Sequence, residues 1–102
     1  SVAREFVERA IANDPDGMIQ LTSTISIKTM GSVIVRRAYV EGVIPFFKGG
    51  RVEWSGKHRV ITDDVGNRGF AIFGNIAGKG SPFSITVMRE SSVLKVINIL
   101  AH

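Results

Sequence analysis

The chain has 102 residues, with 13 Lys and Arg against 9 Asp and Glu, and no cysteine. That length holds one domain, residues 1–102. The 44% apolar and 22% charged content excludes a disordered chain. The missing cysteines exclude disulfides, thiolate-bound zinc and thiol catalysis, and no apolar run nears the roughly 20 residues of a membrane-spanning helix.

Net charge is +4, with a sequence pI near 10.0. The excess is concentrated. Between Lys28 and Arg59 lie seven basic residues (Lys28, Arg36, Arg37, Lys48, Arg51, Lys57, Arg59) against two acidic ones, Glu41 and Glu53. A local positive field of this kind attracts nucleic acid, anionic lipid or acidic protein. The alternative is a set of solvated cations spread over several faces. The chain opens at Ser1 with no methionine, positive n-region or apolar stretch, so any targeting or anchor segment is expected to precede it.

In chain order, Val2, Ala3, Phe6, Val7, Ala10 and Ile11 recur at helical spacing, with Ser1 placed to cap and Asn13 to Gly17 placed to stop the helix. From Met18 to Lys28, Ile19, Leu21, Ser23, Ile25 and Ile27 alternate with polar residues, which predicts a strand. Val33 to Glu41 reads as a second strand, with Arg36 and Arg37 on opposite faces. Val43 to Lys48 carries Pro45, which suggests an edge or a loop. Arg51 to Ser55 and His58 to Thr62 flank Gly56-Lys57, the pattern of a hairpin with a type II′ turn. Gly69 to Ala77, Phe83 to Arg89 and Val93 to Ala101 are further strands. In the last of these, Val93, Val96, Ile97 and Leu100 also fit a helix, but its Val and Ile content favours a strand. The expected fold is α+β, an N-terminal helix on a twisted, mostly antiparallel sheet of six or seven short strands.

Catalytic patterns are weak. His58 stands between Lys57 and Arg59 with no carboxylate beside it to orient it as a base, and His102 is the last residue. Asp63-Asp64 reads as a turn-former rather than a metal ligand pair. Gly74 to Gly80 suggests a phosphate loop, but Phe73 takes the place of its first glycine and Gly80 that of the magnesium-binding hydroxyl. No catalytic, cofactor or metal-binding residue is therefore expected, and the chain reads as non-enzymatic.

Arg68-Gly69-Phe70-Ala71 matches the first four positions of the first ribonucleoprotein motif, and Tyr39-Val40-Glu41-Gly42 is faintly similar to its partner motif. Ile72 and Phe73 depart from the next positions, and Phe46 to Lys57 is too short for the helix that such a domain needs. The chemistry survives the loss of the fold, because strand aromatics stack bases while Arg and Lys hold phosphates. Candidate nucleic-acid-binding residues are Arg36, Arg37, Lys48, Arg51, Trp54, Lys57, Arg59, Arg68 and Phe70. Their opposite reading places Phe70 and Phe73 in a core on two faces of a buried strand.

A different order of parts spans most of the chain. A helix ends at Asn13-Asp14-Pro15. A glycine-marked strand, Gly69-Phe70-Ala71-Ile72-Phe73, leads to the turn Gly78-Lys79-Gly80-Ser81. The closing hairpin joins Phe83–Arg89 to Val93–Ile99. This order resembles the small domain shared by the first cytochrome oxidase assembly factor and subunit twenty-one of the mitochondrial presequence translocase. The resemblance implies a non-catalytic domain, mitochondrial in location, that binds other subunits at an organellar inner membrane; a missing N-terminal anchor would bring in the membrane surface. Two functional expectations follow. One is a protein-interaction module, an accessory or structural subunit of a larger complex. The alternative is an RNA or single-stranded DNA binder using the basic segment 28–59 and strand aromatics. Neither needs a cofactor.

Overall fold

Helix α1 (Val2–Ile11) begins at Ser1, whose hydroxyl accepts the Arg4 N–H at 3.4 Å. Its seam, Ala3, Phe6, Val7 and Ala10, is fully buried. A computed structural model, describing residues 1–102, shows how the rest of the chain covers that seam. Asn13 takes a positive φ of 56° and ends the helix. Helix α2 (Pro15–Gln20) then starts on an Asp14 cap, with the proline in its first turn, where a missing N–H costs nothing. Helices α3 (Thr24–Met30) and α4 (Ser32–Ala38) meet at Gly31, whose φ of 90° turns the chain sharply. Helix α4 continues through a π-helical turn, Tyr39–Val43, into α5 (Ile44–Phe47). Pro45 accounts for the wide turn: its ring would meet the carbonyl four residues back in a regular helix.

The second half is a four-stranded antiparallel meander in the order β1 (Val52–Thr62), β2 (Arg68–Ile76), β3 (Ser81–Glu90), β4 (Val93–Ala101). The fold is α+β, as expected, but the sheet has four strands rather than six or seven. Two of the expected strands are helical. Met18 to Lys28 holds the end of α2, which starts on Asp14, and most of α3, which Ser23 caps. Its alternation also contains a helical triplet, Met18, Leu21 and Thr22, on the packed side. Val33 to Glu41 is helical because Val35 and Tyr39, one turn apart, are the positions buried. Val43 to Lys48, expected as an edge or loop, closes the same helical run. In α4 and α5 burial of one helical face overrides local preference, whereas α3, with no fully buried residue, is held by its N-terminal cap.

The expected hairpin at Gly56-Lys57 is also corrected. The two expected arms, Arg51–Ser55 from Val52 onward and His58–Thr62, lie in one strand, β1, interrupted by a bulge: Trp54 faces Gly74 and His58 faces Ile72 across β2. Gly56, at φ 77°, supplies the positive φ that either a turn or a bulge would use. Pairing of both arms with β2 decides between them. The β3–β4 hairpin and the strand character of Val93–Ala101 are as expected.

Phe70, Ile72, Gly74 and Ile76 of β2 share the helix-facing side with Phe83, Ile85 and Val87 of β3. Phe83 is the joint between layers. Its ring meets Phe47 at 4.9 Å, Trp54 at 5.7 Å and Phe46 at 6.1 Å, each nearly edge-to-face. Gly74 makes this possible, since a Cβ there would lie 2.8 Å from the Phe83 ring. The Leu21–Ser23 segment seals part of the outer edge of β4 by two hydrogen bonds, Ser23 N–H to Val96 O and Val96 N–H to Leu21 O, both 2.8 Å.

Helix α3 takes its N-terminal cap from the far end of the sheet as well as from Ser23. The Glu90 carboxylate accepts from the Ser23 hydroxyl at 2.7 Å, from the Thr24 amide at 3.1 Å and from the Thr24 hydroxyl. These donors, the Thr24 hydroxyl first, hold Glu90 below its ordinary pKa of 4.5. No helix is long and apolar enough to cross a membrane.

Two stability predictions follow from these contacts. Phe83→Ala should cost about 3–5 kcal/mol in urea unfolding, the range for emptying a buried aromatic site; a loss under about 1 kcal/mol would refute the joint. Glu90→Gln should lower stability at about pH 7. A depressed carboxylate pKa stabilises above the ordinary value of 4.5 and loses that contribution as pH falls through the folded value. The gap between native chain and variant should therefore close on acidification, which urea unfolding at stepped pH would show.

Candidate functional site

The bulge in β1 makes the most chemically distinctive cleft. On the helix-facing side, β1 presents Trp54 and His58 and β2 presents Phe70 and Ile72. The helices cover β3 and the far end of β2 but leave this corner open, so Trp54, Phe70 and Ile72 are only half-buried. The extra residues of the bulge carry Lys57 to the rim, where its N–H donates to the Ser55 hydroxyl at 3.0 Å. Arg4, one turn into α1, closes the other side, with its guanidinium 5.9 Å above the Trp54 ring. The His58 and Phe70 rings lie 5.7 Å apart, edge to face.

The resulting cleft has a volume of about 370 Å³, within the range of small-ligand sites. No carboxylate lines it. Arg4, Lys57 and Arg68 have no acidic partner, since the ion pairs of the molecule are Arg9–Glu5, Arg9–Asp14 and Arg36–Asp16. Aromatic walls with an uncompensated cationic rim can bind a planar anion. His58 has no carboxylate in the cleft to orient it for proton transfer.

Of the nine residues singled out from sequence, the cleft brings together Trp54, Lys57 and Phe70. Arg68 lies two residues along β2 from Phe70 and faces the same way. Arg59, paired with Ala71, projects from the opposite side of the sheet. Arg36 is bound to Asp16 at 3.2 Å on the helical layer, and Arg37 follows it there. Lys48 and Arg51 sit at the other end of the sheet, beside the β2–β3 turn, where their carbonyls accept from Lys79 Nζ and the Ala77 N–H. The basic segment 28–59 is thus dispersed over several faces. Phe70 and Phe73 lie on opposite faces of β2, and Phe73 stacks obliquely near His102 at 6.2 Å.

Arg4 and His58 were not foreseen as cleft residues. Arg4 is far from β1 in sequence, and only its place on the solvent side of an amphipathic helix hinted at a free cation. The Asp63 carboxylate is taken up by its own loop, accepting from the Val65 and Asn67 amides at 3.0 and 2.8 Å and from the Asn67 side chain at 3.0 Å. Those bonds, the Asn67 side chain foremost, hold its pKa below the ordinary value. The Tyr39 hydroxyl is pushed the other way by burial, although it shares a 2.7 Å hydrogen bond with Thr22.

A second surface is apolar. Ile25, Met30, Val33 and Ile34 on the α3–α4 pair are 67, 51, 70 and 57% exposed, and α3 has no fully buried residue. Between this pair and the β4 edge runs a groove of about 270 Å³, lined by Met30, Val35, Tyr39, Val43, Ile97 and Ile99 among others.

No protein-family model, curated protein or solved structure matches the chain.

The bulge can be tested directly. Gly56→Ala places a Cβ at φ 77° and should destabilise the chain by about 1–2 kcal/mol. It should also shift the emission of Trp54, the single tryptophan, because Lys57 and the cleft wall move with the bulge. An unchanged spectrum and stability would show that Gly56 does not shape the cleft.

Proposed function

We propose that the chain is a non-enzymatic protein-interaction module, an accessory or structural subunit of a larger complex, which meets its partner on the α3–α4 surface. The observation that carries this reading is the set of large apolar side chains left in water at Ile25, Met30, Val33 and Ile34. Single exposed apolar residues are ordinary, but a group on one short helical pair beside an apolar groove marks an interaction surface.

The charge around the group indicates the partner's chemistry. From Gly17 to Val40 the chain carries Lys28, Arg36 and Arg37 and no acidic residue. Arg36 is paired with Asp16, which leaves Lys28 and Arg37 without acidic partners. A protein with an apolar centre and a carboxylate rim would bury the former and neutralise the latter. Glu90 and Asp63 lie beside Ile25, but their carboxylates are taken up by hydrogen bonds to Ser23, Thr24, Val65 and Asn67. The resemblance to the assembly-factor domains points to the same class of activity. Dispersal of the basic segment over several faces supports this reading over a nucleic-acid interface built on residues 28–59.

The expected result is that a photoreactive residue at Ile34, in the chain's own cell extract, crosslinks to an acidic peptide of one partner protein. One at Lys79, on the β2–β3 turn at the other end of the sheet, should not. Val33→Asp combined with Ile34→Asp should abolish partner crosslinking from a photoreactive residue at Lys28 and release the chain from its complex, with a thermal midpoint changed by no more than about 4 °C. Crosslinks only to a second copy, adhesion to lipid instead of protein, or a double variant that stays in the complex would each overturn the proposal.

A further inference from the structure

We infer that the cleft at the β1 bulge binds a nucleotide unit, an aromatic base carrying a phosphate, with the base against Trp54 and Phe70 and the phosphate on Arg4 and Lys57. The site lies on the opposite flank of the molecule from the α3–α4 surface and does not depend on the interaction-module reading.

The shape of the cleft argues for a flat ligand. Trp54 and Phe70 stand on neighbouring strands and project to the same side, and the bulge widens the gap between Trp54 and His58. Both aromatic rings keep part of their surface in water at the mouth of a cleft of about 370 Å³. Stacking on such rings holds a base in any sequence context, because every base has a π-face.

The charge of the cleft argues for an anion. Arg4 and Lys57 reach its rim from two different elements, and neither is paired with a carboxylate. Arg68 adds a third unpaired cation further along the same face. Glu53, on the same strand as Trp54, faces the other side of the sheet and does not offset them. Arginine and lysine at such a rim bind phosphate by charge-assisted hydrogen bonds, and Arg4, exposed on α1, can swing from the Trp54 ring to a phosphate as the base takes its place. A base with phosphate satisfies both halves of the site. A free base leaves the cations unpaired, and inorganic phosphate leaves the aromatic walls wet.

Such a unit comes from a free mononucleotide or from a single strand, and salt dependence separates the two. A strand that occupies Arg68 as well as the rim releases several counterions, so its affinity falls steeply with salt.

Calorimetric titration of the full chain with AMP, adenosine, inorganic phosphate and a short oligo-adenylate tests the site. AMP should bind saturably and alter Trp54 emission, with adenosine and phosphate at least tenfold weaker. Lys57→Ala and Arg4→Gln, both exposed positions, should each weaken AMP at least threefold and together at least tenfold, while Lys57→Arg retains binding. Circular dichroism of the variants checks that the fold is intact. An oligonucleotide that binds more tightly than AMP, with a steeper salt slope, identifies a strand as the source; equal affinity and slope identify the free nucleotide. Absence of saturable AMP binding at low salt, or binding unaffected by the folded double variant, would overturn the assignment. Neither result would alter the crosslinks expected at Ile34, so the two proposals fail separately.

Discussion

The ring of Phe83 fills the space that a side chain at Gly74 would need, and the two layers of the molecule are joined there. From β3 it reaches Phe46 and Phe47 at the end of the helical run and Trp54 on the outermost strand, β1. One fully buried side chain thus connects the last helix, the edge strand and the centre of the sheet. The contact depends on β2 passing with glycine opposite Phe83. A larger residue would push the sheet away from α5 and separate Trp54 from the core.

The position of Trp54 follows from that joint. Held on one side by Phe83, it exposes its remaining surface to the corner that the helices leave open, and Arg4 settles above it. The bulge immediately after Trp54 then turns Lys57 toward the same corner. A core contact and a local irregularity together set the chemistry of the cleft, although neither is functional in itself. At the opposite flank, Glu90 and the Leu21–Ser23 segment fasten the start of α3 to β3 and β4. With its start held by polar bonds, α3 sits in place without burying its apolar residues, and Ile25 and Met30 remain available.

Much of the second half was legible residue by residue. Phe83, Ile85 and Val87 alternate as a half-buried strand should, and the turns at Gly78–Gly80 and Ser91–Ser92 separate strands that pair with their neighbours in sequence. The first half was harder because Thr, Ser, Ile and Val between Leu21 and Val40 favour strands by composition. Their fate was decided by Met18, Val35, Tyr39 and Phe47, whose burial against α1 and β3 requires helical spacing. Gly56 illustrates the same limit on a smaller scale. A glycine at positive φ suits a hairpin and a bulge equally, and only the pairing of both flanks with β2 separates them. Of the cleft, Trp54, Lys57 and Phe70 were visible as types in a basic and aromatic region, whereas Arg4 joined them through packing of an element distant in sequence.

The amino-acid sequence by itself determined the α+β class, the amphipathic first helix and the three strands from Gly69 onward, because those depend on short-range periodicity and turn chemistry. It also determined the excess of positive charge and the absence of thiol chemistry, which are matters of composition. Only the tertiary structure decided that most of residues 18–47 are helical, that β1 is one bulged strand, and that the basic residues disperse instead of gathering. The reason is the same in each case: burial against a distant partner, and pairing with a neighbouring strand, outweigh local preferences worth a fraction of a kcal/mol per residue.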